Sequence, residues 1–165
     1  MAFPDDLLEQ AKHLANREPQ RPKQASLRRA VSTAYYALFH LLSTEAALNW
    51  KRPHQRHLVA RLFDHGKMKA ACDKRRAECA RFIAQNPAPG PDLDQERSVQ
   101  VVTDTFFQSQ QKRHTADYDN GTQWTRTNVL TVIDAVEDAF QNWKTIRNSE
   151  KGQPFLVSLL GPRQN

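Results

Sequence analysis

The chain has 165 residues, of which 39% are apolar and 25% charged, with a formal net charge of +6. These values suit a single domain with no need for a second core, and the apolar fraction lies well above a disordered composition. No run of about twenty apolar residues occurs, so no membrane span is expected. The opening Met1-Ala2-Phe3-Pro4-Asp5-Asp6 lacks the basic-then-apolar order of a secretory leader, and a cytoplasmic protein is expected.

The apolar period is close to 3.6 throughout, and no segment alternates as a half-buried strand would. An all-α chain is therefore predicted. A first helix is expected from about Asp5 to Arg17, with Leu7, Leu8, Ala11, Leu14 and Ala15 inward. A second should run from about Gln24 to Trp50. Its stripe of Leu27, Val31, Ala34, Tyr35, Leu38 and Leu42 is widened by Tyr36, Phe39 and Leu48, which predicts a central helix covered on several sides. Two shorter helices are expected before and after Gly66, burying Leu58, Leu62, Met68, Cys72, Cys79, Phe82 and Ile83. Cys72 and Cys79 lie about 10 Å apart along one helix, too far to bridge, and free thiols fit a reducing compartment. Asn86 to Pro91 reads as a loop. A further helix is expected from Asp94 to about Thr115, with Val99, Val102, Phe106 and Ser109 or Gln110 inward. Thr122 is the expected N-cap of the next, with Trp124 in its first turn. Val129, Val132, Ile133, Val136, Phe140, Trp143 and Ile146 form the inner stripe of that helix. Residues 1–150 should make the bundle. Residues 151–165 form a tail whose apolar Phe155–Leu160 stretch is expected to dock on the bundle or on a second subunit.

Charge is concentrated. Between Lys51 and Arg81 ten cations face three carboxylates, so that segment carries +7 and the remainder −1. His54, His57 and His65 lie in the same stretch and add charge at lower pH. Lys51, Arg52, Arg56, Arg61, Lys74, Arg75 and Arg76 are the candidate contacts to a polyanion such as RNA. The competing reading is a solvated helical face. No phosphate loop, nucleophile elbow or zinc-helix motif is present. The histidine and cysteine spacing fits no metal pattern, so neither metal nor cofactor is expected.

Arg113 continues the stripe of Val99, Val102, Phe106 and Ser109 and should point inward. Asp117 follows one turn later and Tyr118 stands at the helix end. An inward arginine needs either an internal carboxylate or a bound phosphate. Tyr36 and His40, one turn apart on the second helix, belong either to the core or to a cleft shared with Arg113. His114 projects about 100° around the helix from Arg113.

Ser26 to His40, with its Ala34-Tyr35-Tyr36-Ala37-Leu38-Phe39-His40 core, resembles the second-helix signature of HEPN domains. Arg113 followed by Ala116-Asp117-Tyr118 resembles the second signature of one HEPN branch. The resemblance covers roughly Asp5 to Arg147. It implies an up-and-down bundle of four to five helices, often dimeric, that contacts RNA or nucleotides. Many such proteins are metal-independent endoribonucleases, some paired as toxins with a nucleotidyltransferase and others part of phage defence. In the enzymes an arginine is followed, after four to six intervening residues, by a histidine. A 2′-hydroxyl attacks the neighbouring phosphate, the imidazole moves a proton, and arginine steadies the charged transition state. Here Tyr118 occupies the histidine position. Under the resemblance Arg113 would hold phosphate, Asp117 would orient it, and Tyr118 would contact ribose or base. The alternative is a non-catalytic helical module that docks on a nucleotidyltransferase or another enzyme.

Overall fold

The structure, a computed structural model, describes residues 2–86 and 88–161. Met1, Pro87 of the expected loop and residues 162–165 of the expected tail lie outside the described residues. Among the described residues there are seven α-helices and no strand: α1 (Phe3–Ala15), α2 (Gln24–Leu48), α3 (Arg56–Ala60), α4 (His65–Gln85), α5 (Pro91–Tyr118), α6 (Arg126–Ile146) and α7 (Gly152–Ser158). Seven exceeds the four to five that the resemblance implied. The excess is α3 and α7, of 5 and 7 residues, which are too short to carry a full period.

Local chemistry sets the boundaries. Pro4 and Pro91 occupy the first turns of α1 and α5, where a missing N–H costs nothing, and acidic side chains follow each of them. Asp64 caps α4 by accepting from the Lys67 N–H at 2.9 Å, so Gly66 falls inside the first turn and does not divide the segment as expected. The cap of α6 is Thr125, which accepts from the Asn128 N–H at 3.2 Å, and not Thr122. The Thr122 hydroxyl instead donates to Asp119 Oδ2 at 2.8 Å. Trp124 accordingly precedes α6 and is buried there, with its backbone N–H donating to Gln24 Oε1 at 2.9 Å.

Helix α2 is central, packing on α1, α5 and α6 and receiving α3 and α7 at its C-terminal end. Its direction is opposite to that of α1, since Phe3 meets His40. It is also opposite to α5, because the Arg28 guanidinium donates to the carbonyls of Ala116, Asp119 and Thr122 at 2.9, 2.8 and 2.6 Å. A cation there closes the carbonyl end of α5. Helix α4 also opposes α5, with Lys69 over the Phe107 ring and Arg75, further along α4, against Glu96, earlier in α5. So α2 and α4 run in parallel, and the chain is not a simple up-and-down bundle. The stretch between them, through Pro53 and α3, carries the chain back along α2 until His65 lies against Tyr35 and Phe39. At 1.5 Å per residue that return covers about 15 Å.

The main stripes of α2, α5 and α6 are buried, as are Met68, Cys72 and Cys79, but Leu48, expected to widen the α2 stripe, is exposed at the helix end, and Phe82 and Ile83 are only half-buried. Leu58 and Leu62 are not: they stand 52% and 67% exposed, and Phe63 takes the inward place. Five residues of α3 make too little contact to cover both leucines. Helix α7 buries Phe155 and Leu156, with Phe155 against Trp143 at 6.3 Å between rings. Its approach is tight at Gly152, where an added Cβ would lie 2.1 Å from the Ile146 carbonyl oxygen. Gly152→Ala is expected to push α7 off its seat and cost about 1–3 kcal/mol. The gain in helix propensity, about 1 kcal/mol, does not offset this. Thermal unfolding against the parent measures it, and an unchanged or raised melting temperature would contradict the assignment.

Candidate anion-binding site

Arg113 leaves α5 toward α2. Its side chain is 14% exposed, and its Cζ lies 5.4 Å from the Tyr35 ring centre and 5.7 Å from that of Tyr36. Guanidinium groups at such distances are attracted to aromatic faces. The small residues around Tyr35 and Tyr36 let α5 come close enough for this contact; Ala34 and Ala37 are fully buried. The expected partner is present but weak: Arg113 Nη1 is 3.5 Å from Asp117 Oδ2, and that same oxygen is 3.4 Å from the Ser32 hydroxyl. Arg113 Nε is buried with no hydrogen-bond partner among the described residues. This guanidinium is therefore desolvated without being fully paired, which favours an incoming anion.

An opening for one exists. A cavity of about 560 Å³ is lined by Arg113, Gln110, Gln111, His114 and Thr115 of α5 and by Lys69 of α4. A second cavity of about 410 Å³, between Phe82 and the proline loop, has no basic side chain in its lining and offers nothing to a phosphate.

The structure divides the expected catalytic group. Arg113 and Asp117 share one face of α5. Tyr118 lies about 140° around the helix from Arg113, is 68% exposed, and packs on His114 at 4.9 Å between rings. His114 borders the Arg113 cavity and Tyr118 flanks it from outside. Tyr36 faces Arg113, and His40 stands behind Tyr36 at 6.4 Å, against Phe3 at 5.0 Å. Burial depresses the affinity of His40 for a proton. It is a neutral packing group rather than part of the Arg113 opening.

The sequence reading missed His65 as a member of this cluster. Its Nδ1 lies 2.6 Å from the Tyr35 hydroxyl, and its ring packs on Phe39 at 4.1 Å. Burial comes first and the Arg113 charge second in lowering its pKa below the usual histidine value. Burial also holds the Tyr35 phenol far above its ordinary pKa, so it remains a neutral hydrogen-bond group. No periodic signal ties His65 to Arg113, because the two lie on different helices, α4 and α5, far apart in sequence.

The basic residues fall into two groups. Arg75 is committed to Glu96 at 2.5 Å and Arg76 to Asp73 at 2.8 Å, with Arg76 also stacked 3.9 Å over Phe107. Arg56 donates to the Trp50 carbonyl at 3.0 Å. Lys51, Arg52, Arg61 and Lys74 are exposed and make no ion pair among the described residues; these remain able to attract a polyanion. Cys72 and Cys79 are free and buried. Burial pushes the Cys79 thiol up to about 12 and Cys72 further still, so neither supplies a thiolate nucleophile. Among the described residues no cluster of potential metal ligands occurs, and no helix is long and apolar enough to cross a membrane. Compared with protein-family models, curated proteins and solved structures, the chain matches none.

Proposed function

We propose that this protein is an RNA- or nucleotide-binding helical bundle of the HEPN type, in which Arg113 receives a phosphate group. The observation that carries the reading is the state of that guanidinium: mostly buried, held by one 3.5 Å contact, with an unpartnered Nε and an open cavity beside it. Exposed Lys51, Arg52, Arg61 and Lys74 add attraction along a phosphate backbone. His114 and Tyr118 give two rings in tilted contact beside the cavity, against which a base can pack. Binding is better supported than cleavage. Tyr118 faces away from Arg113, and a phenol is a poor base near neutral pH. Metal-independent endoribonuclease action in a toxin–antitoxin or phage-defence setting therefore depends on a proton-transfer group other than Tyr118.

Fluorescence anisotropy with a labelled single-stranded RNA tests this directly. Binding is expected at low salt and should weaken by at least tenfold between about 50 and 200 mM salt. No binding at low salt would overturn the reading.

A second reading has its own observation. Val157 and Leu160 are exposed and line an apolar groove of about 350 Å³ with Val59 and Phe63, and Leu58 and Leu62 stand exposed on the neighbouring segment. Such a patch suits a protein partner, either a second copy or a nucleotidyltransferase. In this module reading the Arg113–Asp117 pair is only structural, and the protein binds its partner while ignoring RNA.

A further inference from the structure

His65 and Lys69 lie one turn apart on α4. Lys69 lines the Arg113 cavity, while His65, one turn earlier, packs on the α2 rings beside it and is not part of that lining. His65 also shares both tyrosines with Arg113. Its ring centre is 5.6 Å from that of Tyr35 and 5.7 Å from that of Tyr36, closely matching the Arg113 distances to the same rings. Two nitrogen-bearing groups from different helices thus converge on one aromatic pair.

We propose that His65 is the second contact of the phosphate site, so that one phosphate group is clamped between the Arg113 guanidinium and the His65 imidazole. This rests on the reading of Arg113 given above. Tyr35 fixes the imidazole for the task. Its hydroxyl is fully buried, stays protonated, and meets Nδ1 at 2.6 Å. In the neutral ring that hydroxyl donates to Nδ1, which leaves the proton on Nε2 as a donor. Nε2 has no hydrogen-bond partner among the described residues.

The clamp takes up a proton as it closes. The titratable groups around His65 are Tyr35, Tyr36 and His40 from α2, Asp64 at the start of α4, and Arg113 from α5. Burial and the Arg113 charge hold the free ring neutral, and Asp64 opposes them only in part. A phosphate placed between the two groups neutralises Arg113 and favours imidazolium. Nδ1–H then donates to the Tyr35 oxygen while Nε2–H donates to phosphate, and the extra proton comes from solvent. The bound ring has the higher pKa, so affinity rises as pH falls through that value and levels off below the free value.

The test is an NMR titration of the His65 imidazole and the Arg113 Nε–H in the full chain, with sodium phosphate or sodium chloride at equal ionic strength. The His65 midpoint is expected to rise by about one unit with phosphate, as Arg113 Nε–H shifts. Movement of Arg113 with His65 unchanged would overturn the clamp and leave the Arg113 site standing. No movement of either would remove both. His65→Gln, which can still pair with Tyr35, should weaken binding about tenfold near pH 6 and flatten its pH dependence. Parent-like affinity and pH dependence in that variant would also overturn the proposal. AMP and a single-stranded RNA without terminal phosphates separate the two sources of phosphate: preferential loss of AMP binding in His65→Gln assigns the clamp to a free nucleotide, and loss of RNA binding assigns it to the backbone.

Discussion

Replacing Glu96 by alanine is expected to cost about 3–5 kcal/mol of stability. The Glu96 side chain is only 2% exposed and sits where α4, α5 and the start of α7 meet. Arg75 Nη1 approaches one carboxylate oxygen at 2.5 Å and Lys151 Nζ the other at 2.9 Å. These two cations are themselves mostly covered, at 20% and 21% exposure. Alanine would leave two desolvated positive charges without a counter-charge and would release α7 from α5. Denaturant unfolding measures the change. A loss under about 1 kcal/mol would mean that Arg75 and Lys151 reach water easily and that the site is not a lock.

The same carboxylate predicts acid sensitivity. Burial alone would raise its pKa, but the hydrogen bonds from Arg75 and Lys151 outweigh burial and bring it from the ordinary 4.5 down to about 2. A folded-state pKa below the unfolded one stabilises the protein at pH values above about 4.5. That contribution fades as pH falls toward 2. Glu96→Gln, measured across this window, should flatten the acid limb of the stability curve. An identical limb in the variant would assign acid unfolding to other groups.

Much of this architecture was legible from apolar spacing, and the failures have physical causes. Helices α2 and α6 were readable because their buried faces repeat over more than four turns, from Leu27 to Leu42 and from Val129 to Ile146. Leu58 and Leu62 were misassigned because a stripe announces burial only where a partner covers it, and α3 is too short to be covered. Thr122 and Thr125 are both sound caps, and the choice between them lies in tertiary contacts. Asp119 takes the hydroxyl of Thr122 and Arg28 its carbonyl, which leaves Thr125 to start α6. Gly66 looked like a break, but the Asp64 cap two residues earlier outweighs its weak helix propensity. Half of the candidate site was visible in the same way. Arg113 lies on its helix stripe, so its inward direction followed from spacing. His65 does not, because its place beside Arg113 depends on the chain returning along α2, and nothing in local periodicity encodes that return.

Arg113→Ala is expected to leave the bundle folded and to weaken RNA binding by about ten- to a hundredfold, the 1.5–3 kcal/mol of hydrogen bonds to a charged group. The fold should survive because the internal contacts that are lost are weak: one 3.5 Å pair with Asp117 and contact with two tyrosine rings. With Nε already unpartnered, truncation also removes an unsatisfied buried donor, so the net stability change should stay within about 1 kcal/mol. The salt dependence of binding should lose about one phosphate contact in its slope. Arg113→Lys keeps the charge but not the planar fork, so it should recover only part of the affinity. Anisotropy with single-stranded RNA and thermal unfolding, run on the same samples, separate the two readings of this arginine. Loss of binding with the melting temperature preserved makes it a ligand group. Loss of the fold in a protein whose parent never bound RNA makes it an internal strut, and function then passes to the apolar end of the bundle around Leu62 and Val157.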